Sequence, residues 1–264
     1  MANPAPLDHP LNLTMQAVFT YGSWAITFVL LAYALRISLR QRSAFPLLTL
    51  LAGTYAALYE PLYDVGFQLL FYIPGQWTVF TAYDTPQPPW TFSGYAILYA
   101  GPAIFICERI RQGMSGRGLL KAAGWVFLAS CVFEGVGINT GVYEYYGAHA
   151  LRLFNYPLVV GVLETTQVIS FCMAATALRR WVGEGWGLLS LFLLFPFMFY
   201  AVNFGLGAPV LVAINMPVVN PGLVLAATLF SISAGVAVVL GLSRLLPKAH
   251  AAPEAGSLGA LQAR

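Results

Sequence analysis

Apolar residues run along this chain in long blocks, not in the short alternations of a soluble fold. About 20 apolar residues carry a helix across the hydrocarbon core of a bilayer. Seven blocks have that character: Leu13–Leu35, Phe45–Tyr72, Thr91–Glu108, Leu119–Asn139, Tyr156–Leu178, Gly187–Leu206 and Pro221–Ser243. The segments between them are short and rich in Gly, Pro and charge, as connections are. The pattern predicts an all-α fold, a polytopic membrane bundle of seven transmembrane helices over residues 13–246. A short segment, 1–12, precedes it, and an Ala- and Gly-rich tail, 247–264, reads as disordered.

Composition removes the alternative of a globule with one anchor. The chain is 59% hydrophobic and 9% charged, against about 25% charged in soluble domains. Charge also sets a direction. Twelve of the 13 Lys and Arg residues follow or flank the first, third, fifth and seventh spans, and Arg152 alone lies on the other side. By the positive-inside rule the N-terminus faces out and the tail is cytoplasmic, in a bacterial plasma membrane. The net charge of +3 reflects this bias and gives no basic patch for nucleic acid. Residues 1–12 lack the basic stretch of a signal peptide, so the first span is expected to stay in place. Cys107, Cys131 and Cys172 are isolated within spans and read as small buried hydrophobes. His9, His149 and His250 fall outside the spans, so no metal site is expected.

Four carboxylates inside or at the edge of spans change the picture: Glu60, Asp64, Glu134 and Glu164. An ionisable group in hydrocarbon costs roughly 2.5–3.5 kcal/mol on insertion scales. Helical rise puts Glu60 about 22 Å and Glu134 about 20 Å above the basic side, and Glu164 about 12 Å below the opposite boundary. The three share one layer in the outer half of the membrane, and Asp64 lies one turn above Glu60 on the same face. No basic residue shares the layer, so salt bridges do not explain it. A buried, unpaired carboxylic acid keeps its proton and can donate it as a general acid. Glu60 is the first candidate for that donor, with Glu134 and Glu164 to steady a developing cation. Each acid alone also reads as a helix-packing hydrogen bonder or as a group facing a small wet pocket.

Polar and aromatic residues cluster around the layer. Tyr63, Tyr143, Tyr145, Tyr156, Gln167, Asn203 and Trp77 are the candidate substrate-binding residues, although an interfacial aromatic belt explains tyrosines equally well. The loop Ile73–Trp90, with Pro86, Pro88 and Pro89, is expected to form a stiff, non-helical cover. The connection Gly207–Asn220, broken by Pro209 and Pro217, is expected to be non-helical and to dip toward the bundle.

Two segments carry a resemblance. One is Tyr59-Glu60-Pro61-Leu62-Tyr63-Asp64 with the loop from Trp77 to Trp90. The other runs from Glu134-Gly135 through Thr140-Gly141-Val142-Tyr143-Glu144-Tyr145-Tyr146-Gly147 to Phe154-Asn155-Tyr156-Pro157 and Glu164. Their order resembles the spirocyclase AveC-like family of actinobacterial integral membrane proteins, over roughly residues 45 to 180. The resemblance implies a cyclase that turns a dihydroxy ketone into a spiroketal with loss of water. The substrate does not carry over with the resemblance; a lipophilic polyketide-like or isoprenoid small molecule is expected, with no cofactor. The competing enzyme reading is a terpene cyclase or carotenoid-type hydratase, which also begins with a carboxylic acid. A proton-coupled transporter or a receptor is the non-enzymatic reading. A retinal-type photoreceptor is excluded, because neither Lys121 nor Lys248 lies in the middle of a span. Sequence leaves the oligomeric state open.

Overall fold

A computed structural model describes residues 4–246; the tail expected at 247–264 lies outside them. The chain begins with α1 (Leu13–Gln41), started by the Asn12 side chain, which accepts from the Met15 N–H. Next come α2 (Phe45–Tyr55), a 3₁₀ turn at Ala56–Tyr59, and α3 (Glu60–Phe67). Two hairpin strands, β2 (Phe80–Ala82) and β3 (Thr85–Gln87), follow β1 (Leu69–Phe71). Then α4 (Trp90–Tyr95) passes through a π-helical turn at Ala96–Ala100 into α5 (Gly101–Arg111). The long α6 (Gly116–Asn139) leads to β4 (Tyr143–Tyr145), β5 (Arg152–Leu153) and β6 (Tyr156–Pro157), and then to α7 (Leu158–Val182). A 3₁₀ turn at Trp186–Ser190, α8 (Leu191–Tyr200), a π-helical turn at Ala201–Leu206, the short α9 (Ala208–Ile214) and α10 (Pro221–Ser243) complete the described chain.

Six of these helical runs are long and apolar enough to cross a membrane: Leu13–Gln41, Trp90–Arg111, Gly116–Asn139, Leu158–Val182, Trp186–Leu206 and Pro221–Ser243. The fold is therefore a mostly helical, membrane-type bundle. The run through α2 and α3 is not among the six, since its polar end carries Glu60 and Asp64. Trp90–Arg111 and Leu158–Val182 are 78% and 72% buried along their apolar windows, against 28–39% for the other four. These two are the centre of the bundle, and the others present Val29, Leu193 and Phe230 outward.

Two sequence expectations are corrected. Leu69–Tyr72 does not continue the second helix. Helix α3 stops at Phe67, where Gln68 takes a left-handed conformation (φ 53°). Leu69–Phe71 then pairs antiparallel with Tyr143–Tyr145, with Phe71 opposite Tyr143. Leucine and aromatic side chains suit a strand at least as well as a helix, and the pairing satisfies backbone groups beyond the helix end. The connection after Leu206 is also partly helical. Pro209 sits in the first turn of α9, where its missing N–H costs nothing.

The two ends of the bundle differ. At one end Gln41 donates to Glu108 (2.9 Å), Arg179 pairs with Glu184 (2.6 Å) and a Cβ on Gly116 would touch Ser243. The C-terminal ends of α1, α5, α7 and α10 thus meet here, with their arginines. The opposite end is capped by the three short strand pairs. Two of these turn through pairs of left-handed residues, Tyr83-Asp84 and Phe154-Asn155, the geometry that matches strand twist in two-residue hairpin loops.

Helix α2 lies unusually close to the central π turn. A Cβ on Gly53 would fall 2.6 Å from the Cβ of Ala100 and 3.2 Å from the Phe195 ring. Gly53→Ala is expected to lower stability by about 1–3 kcal/mol through overpacking. Gly124→Ala, whose Cβ would meet nothing within 4 Å, should leave stability unchanged or raise it. Thermal unfolding of the two variants in the same detergent checks the pair, and equal midpoints would contradict the packing.

Candidate functional site

A buried cavity lies between α3, the α4–α5 run, α6 and α7, under β1 and β4. Glu60, Glu134 and Glu164 all line it and are 8%, 7% and 2% exposed. Tyr63, Tyr95, Tyr99, Tyr143 and Tyr145 supply its hydroxyls; Phe71, Trp90 and Phe133 supply much of its apolar wall. No Lys, Arg or His lines it.

Local irregularities bring these side chains inward. The 3₁₀ turn at Ala56–Tyr59 ends α2 and starts α3 at Glu60, with Pro61 in the first turn, where proline is tolerated. The π turn at Ala96–Ala100 inserts extra backbone between Tyr95 and α5, and the Tyr95 and Tyr99 rings stack edge-on at 4.8 Å inside the cavity wall. Single π turns of this kind concentrate at functional sites. Gly137 lets Tyr143 lie flat on α6, since a Cβ there would sit 2.3 Å from the ring.

The three acids are held unequally. Glu164 is fully engaged: Oε1 accepts from the Tyr99 hydroxyl (2.7 Å), and Oε2 accepts from Tyr156 (3.0 Å) and from Ser130. Glu60 accepts from the Tyr95 hydroxyl at 2.6 Å. Glu134 has one donor, Tyr145, at 3.5 Å, a distance at which little bonding remains. The hydroxyls of Tyr63 and Tyr143 are buried and have no partner within the protein. Unspent hydrogen-bonding capacity is therefore concentrated around Glu134, Tyr63, Tyr143 and Thr91, whose hydroxyl is also buried without a partner. The volume open to water centres is about 30 Å³, enough for one or two waters.

Other candidates from the sequence lie elsewhere. Asp64 is buried one turn beyond Glu60 but does not line the cavity; it accepts from the Gln87 side chain (2.5 Å), beneath the β2–β3 hairpin. Gln167 and Asn203 face each other at 3.5 Å, between α7 and the π turn at Ala201–Leu206. Trp77 is 42% exposed and packs on Tyr21. Tyr156 acts through Glu164 and Ser130. Sequence reading missed Tyr95, Tyr99 and Ser130. Their signal was present: two tyrosines four residues apart within an apolar span, and a serine one turn before Glu134. Among the described residues, no group of three or more His, Cys, Asp or Glu is arranged to hold a metal ion.

The roof of the cavity is fixed from the loop side. Arg152 donates to the carbonyls of Tyr145 (2.7 Å) and Gly147 (2.5 Å), and the His149 ring nitrogen Nε2 bonds the Phe67 carbonyl (2.7 Å). His149 thereby ties the loop after Tyr145 to the end of α3, and its ring meets Tyr145 edge-on at 5.8 Å. No family model, no curated protein and no solved structure matches the chain.

Burial pushes the His149 pKa down to about 4, helped by the nearby Arg152 charge. The folded state resists protonation that the unfolded chain accepts near pH 6.5. Unfolded protein therefore binds more protons between these values, and stability falls as pH drops from about 6.5 toward 4 and is flat above. The full effect is on the order of 3 kcal/mol. His149→Gln keeps a donor for the Phe67 carbonyl and should show a shallower loss over that window. Unfolding midpoints of both proteins at pH 7.5 and 4.5 test this; parallel slopes would contradict it.

Proposed function

We propose that this protein is a membrane-embedded acid catalyst that cyclises a lipophilic, oxygen-bearing small molecule with loss of water, a reaction of the spirocyclase type. One observation carries the reading: three carboxylates without a basic partner converge with five tyrosines on one buried cavity. The resemblance of the segments around Glu60, Tyr143 and Glu164 to the spirocyclase AveC-like family points the same way.

Glu134 replaces Glu60 as the proton donor in this scheme. Glu60 and Glu164 are committed to short tyrosine hydrogen bonds, whereas Glu134 has capacity to spare for a substrate oxygen. Protonated Glu134 gives its proton to the hydroxyl oxygen of a hemiketal. The C–O bond breaks, water leaves, and an oxocarbenium ion forms. The Glu134 carboxylate left by that donation stabilises the cation electrostatically, and Glu164, fixed by three hydroxyls, holds the cavity wall beside it. A second substrate hydroxyl then attacks the cationic carbon, and its proton returns to Glu134. Tyr63 and Tyr143, with unspent hydroxyls, orient the two substrate oxygens. The present volume is water-sized, while pockets for drug-sized ligands span roughly 300–1,000 Å³. A substrate of that size therefore requires the cavity to widen.

That same volume favours a second reading, a proton relay in which water links Glu134 to the tyrosine-bound acids. The two separate experimentally. In the cyclase reading, lipid extracts of cells expressing the protein contain a metabolite pair differing by one water. Glu134→Gln shifts the pair toward the hydrated member by about 10²–10⁴ in rate, and Glu60→Gln by less. An unchanged metabolite profile, with proton uptake into proteoliposomes abolished by Glu134→Gln, would establish the relay and remove the cyclase.

The α2–α3 run is the proposed seventh crossing, which puts the N-terminal segment outside and the end of α10 in the cytoplasm. A topology reporter fused after Ser243 should read as cytoplasmic, and an extracytoplasmic signal would overturn the orientation.

A further inference from the structure

At the arginine-rich end of the bundle, α1 and α5 diverge around a groove of about 500 Å³. The two helices are joined one turn deeper by the stacked rings of Tyr33 and Phe105, 4.7 Å apart. Arg36 and Arg40, one turn apart on the same face of α1, both line the groove. Arg111 lines it too, but its charge is spent on Glu108, to which it donates twice (2.6 and 3.0 Å). Glu108 also accepts from Gln41 (2.9 Å) and Gln112 (2.6 Å). Among the described residues, neither Arg36 nor Arg40 has an ion pair. Glu108 lines the groove as well, but its charge is matched by Arg111, so Arg36 and Arg40 leave the groove with two unpaired positive charges. Gln41, which also lines the groove, has a buried side-chain oxygen with no donor. Tyr33 and Ile37 give the deeper wall an apolar character.

We propose that this groove binds the headgroup of an anionic phospholipid. The phosphate lies between Arg36 and Arg40, a geometry to which guanidinium forks are suited. A zwitterionic headgroup brings its own ammonium toward the two arginines and no net charge, so a headgroup with net negative charge is held better. The glycerol backbone and first acyl carbons lie against Tyr33 and Ile37. Basic pockets between helices at the membrane surface are a recurrent lipid-recognition device. The site is independent of the acid cavity, which lies in the opposite half of the bundle.

The test is native mass spectrometry of the detergent-purified protein after titration with phosphatidylglycerol, phosphatidylethanolamine or inorganic phosphate. Wild type should retain phosphatidylglycerol at least tenfold more than phosphatidylethanolamine. The Arg36→Gln/Arg40→Gln double variant should lose that preference, whereas Arg244→Gln, at the same end but outside the groove, should keep it. Both arginines are exposed, and an unfolding midpoint within error of wild type shows that the double variant is folded. Because that variant still has a groove, a second one, Arg36→Lys/Arg40→Lys, reads the fork: partial retention supports bidentate phosphate binding. Equal retention of the two lipids by wild type, retention undiminished in the Gln double variant, or competition by inorganic phosphate at equal concentration would each overturn the proposal.

Discussion

Taking a carboxylate out of water is the dominant cost in this structure, and no cation is supplied to meet it. The chain meets it with hydroxyls from other helices. Tyr95 and Tyr99, on the central run, reach Glu60 on α3 and Glu164 on α7. Ser130 on α6 and Tyr156 at the head of α7 also reach Glu164. The bonds from Tyr95, Tyr99 and Ser130 cross between helices, so the acids act as staples between segments that lipid would otherwise leave free to slide. A buried polar group is expensive chiefly when its partner is missing. Removal of Tyr99 or Ser130 would therefore leave Glu164 under-satisfied as well as remove a contact.

The irregular turns follow from that need. A regular α-helix repeats its faces every 3.6 residues, which commits an entire span to one orientation. In the α2–α3 and α4–α5 runs, the half toward the arginine-rich end packs on neighbours and the half toward the strand-capped end aims polar groups at one point. The 3₁₀ turn before Glu60 and the π turn at Ala96–Ala100 let one helix do both. Pro61 and Pro102, each just inside the helix start that follows, cost no intrahelical hydrogen bond there. The close contact of Gly53 with Ala100 shows the other half of the arrangement, a tight joint just below the widened turn.

Much of this was legible in the residues, for reasons that have limits. Membrane-length helices announce themselves because hydrocarbon demands a continuous apolar run. The shared layer of Glu60, Glu134 and Glu164 followed from helical rise and the positions of the basic ends. Rise gives depth but not rotation, so Asp64, at nearly the same depth, could not be separated from its neighbour. In the structure it turns to Gln87 instead. Gln167 likewise shares a face with Glu164 but meets Asn203. The strand pairing of Leu69–Phe71 with Tyr143–Tyr145 was invisible because it joins segments distant in sequence. Leu69–Phe71 has no alternating pattern, since both its faces are buried, and three residues of alternation at Tyr143–Tyr145 are too few to mark a strand. The spacing of Tyr95 and Tyr99 put both on one face of a span, but only their hydroxyl partners, Glu60 and Glu164, set them apart from other aromatic residues.

The β1–β4 pairing also orders events in time. In a membrane, helices can insert one by one before they associate, and nothing local compels β1 to wait. Yet β1 leaves the second helical run early, and β4 emerges only after α6 has been made. Until then the backbone of Leu69–Phe71 has no strand to pair with, and the roof that holds Tyr143 and Tyr145 does not exist. The acid cavity is consequently a late product of folding. Its carboxylates are enclosed together only when two distant parts of the chain clasp.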